Sequence, residues 1–209
     1  MKEALQEYIY HHLGPESELL SELYRQTHLR VLYPEMVSGH EQGRLLSMIS
    51  HMVRPERILE IGTFTGYSAI CLAEGLPPQG RLYTIDKNDE LKEMSDTFFR
   101  KAGLQEKIVS YIGDALEIIP RIDDLFDLVF IDAAKKEYLE YYHAVFDKVK
   151  QGGYILVDNI LWYNKIYDHQ IQDATTEKLR IFNDFVRKDE RVEKAIIENR
   201  DGLFILRKK

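Results

Sequence analysis

The spacing of apolar residues changes partway along the chain. In the first fifty or so positions, "EALQEYIYHHL" and "ESELLSELYRQTHLR" place apolar side chains three and four apart, which predicts amphipathic helices. The intervening "GPES" reads as a break followed by a helix start, with Pro15 in the first turn and acids beside it. A third helix follows in "VSGHEQGRLLSMISHMV", with Leu45, Leu46, Ile49 and Met52 on one face. Ser38 is placed to cap it, with Glu41 three residues on.

From Arg57 the pattern becomes short β-type runs alternating with helical ones. Strands are predicted at 57–62, 81–86, 107–114, 127–132 and 153–159. Helical stretches such as "GYSAICLAEGL", "DELKEMSDTFFRKAG" and "EYLEYYHAVFDKVK" lie between them. Strand and helix in alternation predict a parallel sheet covered on both faces, which explains why the strands show little alternation of their own. Further on, "VEKAIIE" and "GLFILRK" are separated only by "NRD", a spacing that gives an antiparallel hairpin. The expected fold is α/β: N-terminal helices, then a doubly wound, seven-stranded, mainly parallel sheet whose last strand is antiparallel. One domain over 1–209 is expected, with 1–54 a helical segment and 55–209 the sheet-bearing core.

Composition narrows the class. Hydrophobic residues are 44% and charged residues 30% of the 209, as in a soluble globular protein. No apolar run approaches the roughly 20 residues of a membrane span, and "MKEALQEYIYHHLG" lacks the features of a signal peptide. The single cysteine, Cys71, cannot form an internal disulfide, so a cytoplasmic setting is expected, with Cys71 a small buried apolar residue. The net charge of −7 argues against a phosphate-gripping nucleic-acid binder without excluding one.

The first candidate site is "ILEIGTFTGYSAI", joining the first core strand to its helix. In open α/β sheets ligands bind beyond the carboxyl ends of the strands, where glycines admit close approach and a helix start offers free N–H groups. A dinucleotide site wants three glycines for its pyrophosphate. This loop has Gly62 and Gly66, with Phe64 between them. Glu60 would repel a pyrophosphate but could pair with the ammonium of a methionine moiety, so the spacing favours S-adenosylmethionine over NAD. Ser68 could bind that ligand's carboxylate. Asp86, about twenty residues after the loop, could accept both ribose hydroxyls. Asp114 and Ala115, in "GDA", could read an adenine through its exocyclic amine and a ring nitrogen. The plainer reading of the loop is an ordinary glycine turn with a solvated Glu.

The second candidate is a pair of strand ends. Asp132 closes "LVFID" and Asp158 closes "ILVD", followed by Asn159. Two carboxylates and an amide oxygen suit a hard octahedral cation: Mg²⁺, or another divalent ion such as Mn²⁺ or Ca²⁺. Each acid has an alternative as a helix cap, and "DNI" as a turn. Near a cation and a sulfonium, Lys135 would have its pKa lowered and serve as a general base, whereas Lys136 reads as solvated. Trp162, Tyr163 and Tyr167 could flank a planar substrate, or pack a lid or dimer contact.

From about Met36 onward, "EMVSGHEQG", "LEIGTFTGYSAI", "YTID", "GDALEIIP", "FIDAAKKEY" and "GGYILVDNIL" together resemble the cation-dependent O-methyltransferases, the family of catechol and caffeoyl-CoA O-methyltransferases. The resemblance implies a class I, Rossmann-like S-adenosylmethionine-dependent methyltransferase fold. It implies Asp132, Asp158 and Asn159 as metal ligands and Lys135 as the base. It further implies Glu60, Gly62, Ser68, Asp86, Asp114 and Ala115 as cofactor contacts, Met36 near the sulfonium, and Asp132 and Tyr138 beside the methionine end. In the family the N-terminal segment builds a substrate lid and often a homodimer contact. Where many members read Asp-Ala-Asp-Lys, this chain has Ala134, as do bacterial relatives that methylate 5-hydroxyuridine in tRNA. The expected acceptor is a small catechol-like or hydroxycinnamate-like phenol, with tRNA as the alternative and no membrane partner. A non-catalytic cofactor-binding or dimerisation module is the rival of another class, and would leave the metal-type ligands and Lys135 unexplained.

Overall fold

The computed structural model describes residues 2–209. Helix α1 (Lys2–His12) leaves Leu5, Tyr8 and Tyr10 exposed. Helix α2 (Glu18–Arg30) is capped by Ser17, whose side chain accepts from the Leu20 N–H at 3.3 Å, and buries Leu20 and Leu23. Pro15 therefore precedes the helix instead of occupying its first turn. The Ser17 hydroxyl satisfies a free N–H there and marks the start. Helix α3 (Gly39–Val53) follows. Ser38 sits at its start but makes no capping bond through its side chain. Gly39, at φ +72°, turns the chain between Ser38 and the first helical turn. Among the described residues no helix is long and apolar enough to cross a membrane.

The remainder builds the sheet. Its strands are β1 (Arg57–Ile61), β2 (Arg81–Asp86), β3 (Ile108–Ile112), β4 (Phe126–Ile131), β5 (Val149–Val157), β6 (Val192–Ile197) and β7 (Leu203–Lys208). Their spatial order is β3-β2-β1-β4-β5-β7-β6. Strands β1 to β5 pair in parallel, and β7 runs antiparallel to both β5 and β6. The doubly wound, mainly parallel sheet with an antiparallel last strand is thus the one the sequence predicts. Strand β5 begins earlier than expected. Val149 pairs with Phe126, and the register shifts before Tyr154 meets Leu128. Gly152, at φ +79°, lies within that irregular stretch.

The central strands β1, β4 and β5 are buried on both faces because the crossover helices divide between them, whereas β6 at one edge is largely exposed. Helices α6 (Ala115–Ile118), α7 (Tyr138–Phe146) and α8 (Ala174–Lys188) lie over Leu59, Ile61, Val129, Ile131, Ile155 and Val157. Helices α2, α3, α4 (Tyr67–Ala73) and α5 (Lys92–Lys101) cover Ile58, Leu128, Phe130 and Leu156. Alternate residues of one strand enter opposite cores, so both phases of the period-two repeat must be apolar. The winding reverses between β1 and β4, where the carboxyl ends of neighbouring strands diverge into a crevice.

Candidate active site

The backbone ladder sets the site. Hydrogen bonds continue one residue past the strands: Gly62 N–H to Ile85 O (2.9 Å), Gly113 N–H to Asp86 O (2.8 Å), Asp132 N–H to Ile61 O (2.9 Å) and Asp158 N–H to Ile131 O (3.0 Å). Glycine loop, acids and amide are thereby brought level along one edge. They border a cavity of about 1440 Å³ lined by Gly62, Ser68, Asp86, Ala115, Asp132, Lys135, Asp158, Asn159 and, from the N-terminal segment, Met36.

The glycines make the crevice possible. A Cβ on Gly62, whose φ is +106°, would lie 2.0 Å from the Asp132 carbonyl oxygen. A Cβ on Gly66, at φ +90°, would meet the Phe99 ring at 2.6 Å. Both positions need glycine for conformation and for space.

Glu60 is fully buried at the end of β1. Its carboxylate accepts from Ser68 Oγ at 2.6 Å and Thr84 Oγ1 at 2.5 Å, and Thr84 shares a 2.6 Å bond with Thr63. Burial pushes its pKa to about 8; the two hydroxyls oppose this only in part, and the nearby Asp132 and Asp86 add to it. Glu60 does not itself line the cavity; it lies behind Ser68, which does. The Ser68 hydroxyl is engaged with Glu60, so the role expected for it, binding a ligand carboxylate, is not the one its hydrogen bond serves.

Asp86 is anchored by the main chain: Phe64 N–H donates to Oδ2 at 2.7 Å and Asn88 N–H to Oδ1 at 2.9 Å. The loop and the acid after β2 are thus one unit. Asp114 acts as a cap, accepting from Leu116 N–H at 2.9 Å and pairing with Lys87 at 3.1 Å. Those contacts hold its carboxyl below the usual range, the Leu116 N–H first and Lys87 second. Gly113 and Ala115 line the cavity on either side of it.

The acids at the ends of β4 and β5 differ in environment. Asp158 is 3% exposed, its Oδ2 accepts from Gln42 Nε2 at 2.7 Å, and its Oδ1 is buried with no partner. Burial, then the neighbouring Asp132, raises its pKa to about 7. Asp132 accepts from Lys135 Nζ at 2.7 Å. Burial disfavours the Lys135 ammonium, but Tyr138 and Asp132 outweigh it and hold the group above the ordinary lysine range. The lowering expected from the sequence concerns a lysine beside a bound cation and a sulfonium, a different set of neighbours from Tyr138 and Asp132. Asn159 lines the cavity at φ +57°. Tyr138 is buried behind this wall, its hydroxyl donating to the Asp158 carbonyl at 3.0 Å.

Arg200 and Asp201 also line the cavity, and Gln42 contacts Asp158 without lining it. The sequence pattern marks Gln42 only as part of the third helix and of "EMVSGHEQG", and Arg200 and Asp201 only as a hairpin turn. In the structure Arg200 donates to the Val37 and Ser38 carbonyls, and Asp201 Oδ1 accepts from Tyr163 N–H at 2.6 Å. Trp162 and Tyr163 line the cavity in left-handed conformations (φ +48° and +54°), while Tyr167 does not line it.

A seven-stranded sheet of this order, with a glycine loop, a buried acid before it and a second acid tied to its backbone, defines the class I S-adenosylmethionine-dependent methyltransferases. The O-methyltransferase family model matches residues 10–209, and the chain belongs to that family. It is 34% identical over 221 residues to a caffeoyl-CoA O-methyltransferase of Populus kitakamiensis, covering 99% of this chain and 94% of the relative. Among solved structures it resembles the O-methyltransferase TomG from Streptomyces achromogenes in complex with SAM (TM-score 0.91, 31% identity, 99% of this chain and 96% of that one). An O-methyltransferase from Bacillus cereus in complex with SAH superposes with a TM-score of 0.92 at 26% identity, covering 99% of this chain and 97% of the other. The protein is an S-adenosylmethionine-dependent O-methyltransferase.

Proposed function

We propose that this O-methyltransferase acts on an acidic hydroxyl of a small catechol-like or hydroxycinnamate-like molecule and uses a divalent cation to do so. The observation that carries the reading is Asp158 Oδ1, a buried carboxylate oxygen with no hydrogen-bond partner, next to Asp132. A buried anionic oxygen without a donor is costly unless a cation satisfies it. Asn159 adds a neutral oxygen beside it. Two carboxylates and an amide would form a hard donor set, which suits Mg²⁺ or Mn²⁺ better than zinc.

Asp132, Asp158 and Asn159 would hold the cation, which supplies Lewis-acid stabilisation of the acceptor oxygen. S-adenosylmethionine supplies the methyl group. Glu60 holds the ammonium of its methionine moiety, Asp86 its ribose, and Gly62 and Ala115 allow close approach of the backbone. With Asp132 engaged as a ligand, Lys135 loses its counter-charge and burial favours its neutral form, so Nζ takes the acceptor's hydroxyl proton. Trp162 and Tyr163 flank the acceptor, and Met36 lies near the sulfonium. A phenolic hydroxyl, with a pKa of about 10, needs only a few units of stabilisation to ionise near neutrality.

The test is methyl transfer from labelled S-adenosylmethionine to a panel of catechols and hydroxycinnamate derivatives, and to bulk tRNA, with and without chelator. Transfer to a phenol that chelation abolishes, and that Asp158→Ala loses while still binding the cofactor, is the expected result. Label entering only tRNA would overturn the acceptor, and full activity in excess chelator would overturn the cation.

A further inference from the structure

The two oxygens of Asp158 have unequal surroundings, and one residue accounts for the difference. Gln42 Nε2 donates to Oδ2 at 2.7 Å, while Oδ1 is left without a partner. Gln42 is 1% exposed on α3, and its own Oε1 is buried and unpartnered. An apolar side chain of similar length would fill the same space without stranding an acceptor. Packing does not explain the amide; its donor, aimed at Asp158, does.

The amide is also held in place. A Cβ on Gly43, the next residue, would lie 2.6 Å from the Tyr67 ring and 2.8 Å from Cys71 Sγ, so α3 sits tightly against α4 at this point. Arg200 binds the carbonyls of Val37 and Ser38 just before α3 begins. On the other side, the Asp158 main chain is fixed by its N–H to Ile131 and by the Tyr138 hydroxyl on its carbonyl. Rotation of the Asp158 carboxyl plane is the remaining freedom, and the Gln42 bond restrains it.

We propose that Gln42 is a positioning residue that reserves a single oxygen of Asp158 for the divalent cation, and thereby favours a small octahedral ion, Mg²⁺ or Mn²⁺, over Ca²⁺. The inference rests on the metal reading above. Mg²⁺ requires near-octahedral geometry with a few protein oxygens, whereas Ca²⁺ accepts six to eight and takes carboxylates in bidentate fashion. The Gln42 hydrogen bond takes one lone pair of Oδ2 and fixes the carboxyl plane, which favours monodentate ligation through Oδ1. Freed from Gln42, Asp158 could turn both oxygens to a larger ion. Hydrogen-bond partners of metal ligands typically contribute 10–100-fold to metal affinity.

The experiment uses the full chain and Mn²⁺ alone, without cofactor or acceptor. Mn²⁺ binding is measured by titration calorimetry for the wild type, Gln42→Met and Gln42→Leu, with Mg²⁺ and Ca²⁺ as competitors. The electron paramagnetic resonance spectrum of bound Mn²⁺ reports its coordination. Both variants should lose about 10–100-fold in Mn²⁺ affinity and less for Ca²⁺, with an altered Mn²⁺ spectrum. The metal-free melting temperature should fall by only a few degrees, the cost of the bond lost to buried Asp158, and S-adenosylhomocysteine affinity should stay near wild type, which separates a lost ligand orientation from a lost fold. Variants that bind both ions within about threefold of wild type would overturn the role of Gln42. Equal losses for Mn²⁺ and Ca²⁺ would overturn the selectivity. A wild type that binds no Mn²⁺ would overturn the metal reading, and this inference with it.

Discussion

Replacing Glu60 with Gln offers a quantitative test of the cofactor site. The carboxyl is fully buried, and its pKa stands at about 8 against an ordinary value of 4.5. The folded chain therefore holds a proton there that the unfolded chain has released, and between those values stability falls as pH rises. For that shift, linkage gives a loss of about 4 kcal/mol between about pH 5 and pH 9. Gln is close to isosteric and carries no charge, and the hydroxyls of Ser68 and Thr84 can rotate to accept from its amide. Glu60→Gln should therefore be more stable than wild type in the absence of cofactor, by a margin that grows with pH by about that amount. Urea denaturation of both proteins across the pH range measures it. Cofactor binding should show the converse. The wild type should release a proton on binding S-adenosylmethionine near neutral pH, visible as a buffer-dependent calorimetric heat, and Glu60→Gln should bind far more weakly with no such release. A stability difference that changes by less than about 1 kcal/mol across the range would refute the burial argument. Unchanged cofactor affinity would refute the ammonium pairing.

Two further perturbations test the other wall of the crevice. Lys135→Met should lower turnover by about 10²–10⁴-fold, the usual contribution of a general base, while calorimetric cofactor affinity changes little; retention of more than about a tenth of the activity would exclude Lys135 as the base. Gly62→Ala should cost about 2–5 kcal/mol in chemical denaturation, since its Cβ meets main chain at 2.0 Å, whereas Gly103→Ala, with nothing within 4 Å of the added carbon, should cost only about 1 kcal/mol for its positive φ. Equal losses would show that conformation alone matters at Gly62.

Features governed by neighbours in the chain were the most legible from sequence. Strand β2 falls where the apolar run places it and β1 differs by one residue, because a strand buried on both faces is an unbroken apolar stretch. The meeting of Asp132, Asp158 and the glycine loop followed from the rule that parallel strands align their carboxyl ends. Strand β5 starts at Val149 and not at residue 153, because the structure carries Gly152 and Gly153 within the strand across a register shift. Gln42 could not be read because its partner lies 116 residues away, across the sheet from the helix that carries it. The Lys135 pKa depends on which neighbours are present: with Tyr138 and Asp132 beside it the ammonium is favoured, whereas the lowering expected from the sequence applies beside a bound cation and a sulfonium. Asp114 illustrates the ambiguity of an acid before a helix, since its carboxylate serves the helix start directly.

Strand β7 follows β6 in the chain but lies between β6 and β5. During synthesis, β5 therefore stays an open edge until the hairpin is complete, and β6 has no place in the sheet before β7 exists. Asp158 and Asn159 lie at the tip of that waiting strand, and Ile160 and Leu161 after them are fixed by the carbonyls of Gly202 and Asp201 in the hairpin turn. On the ribosome the half that carries the glycine loop can assemble first, while the half that carries Asp158 and Asn159 is among the last parts to form. An unpaired β5 in the nascent chain is the segment most exposed to wrong pairing with another chain.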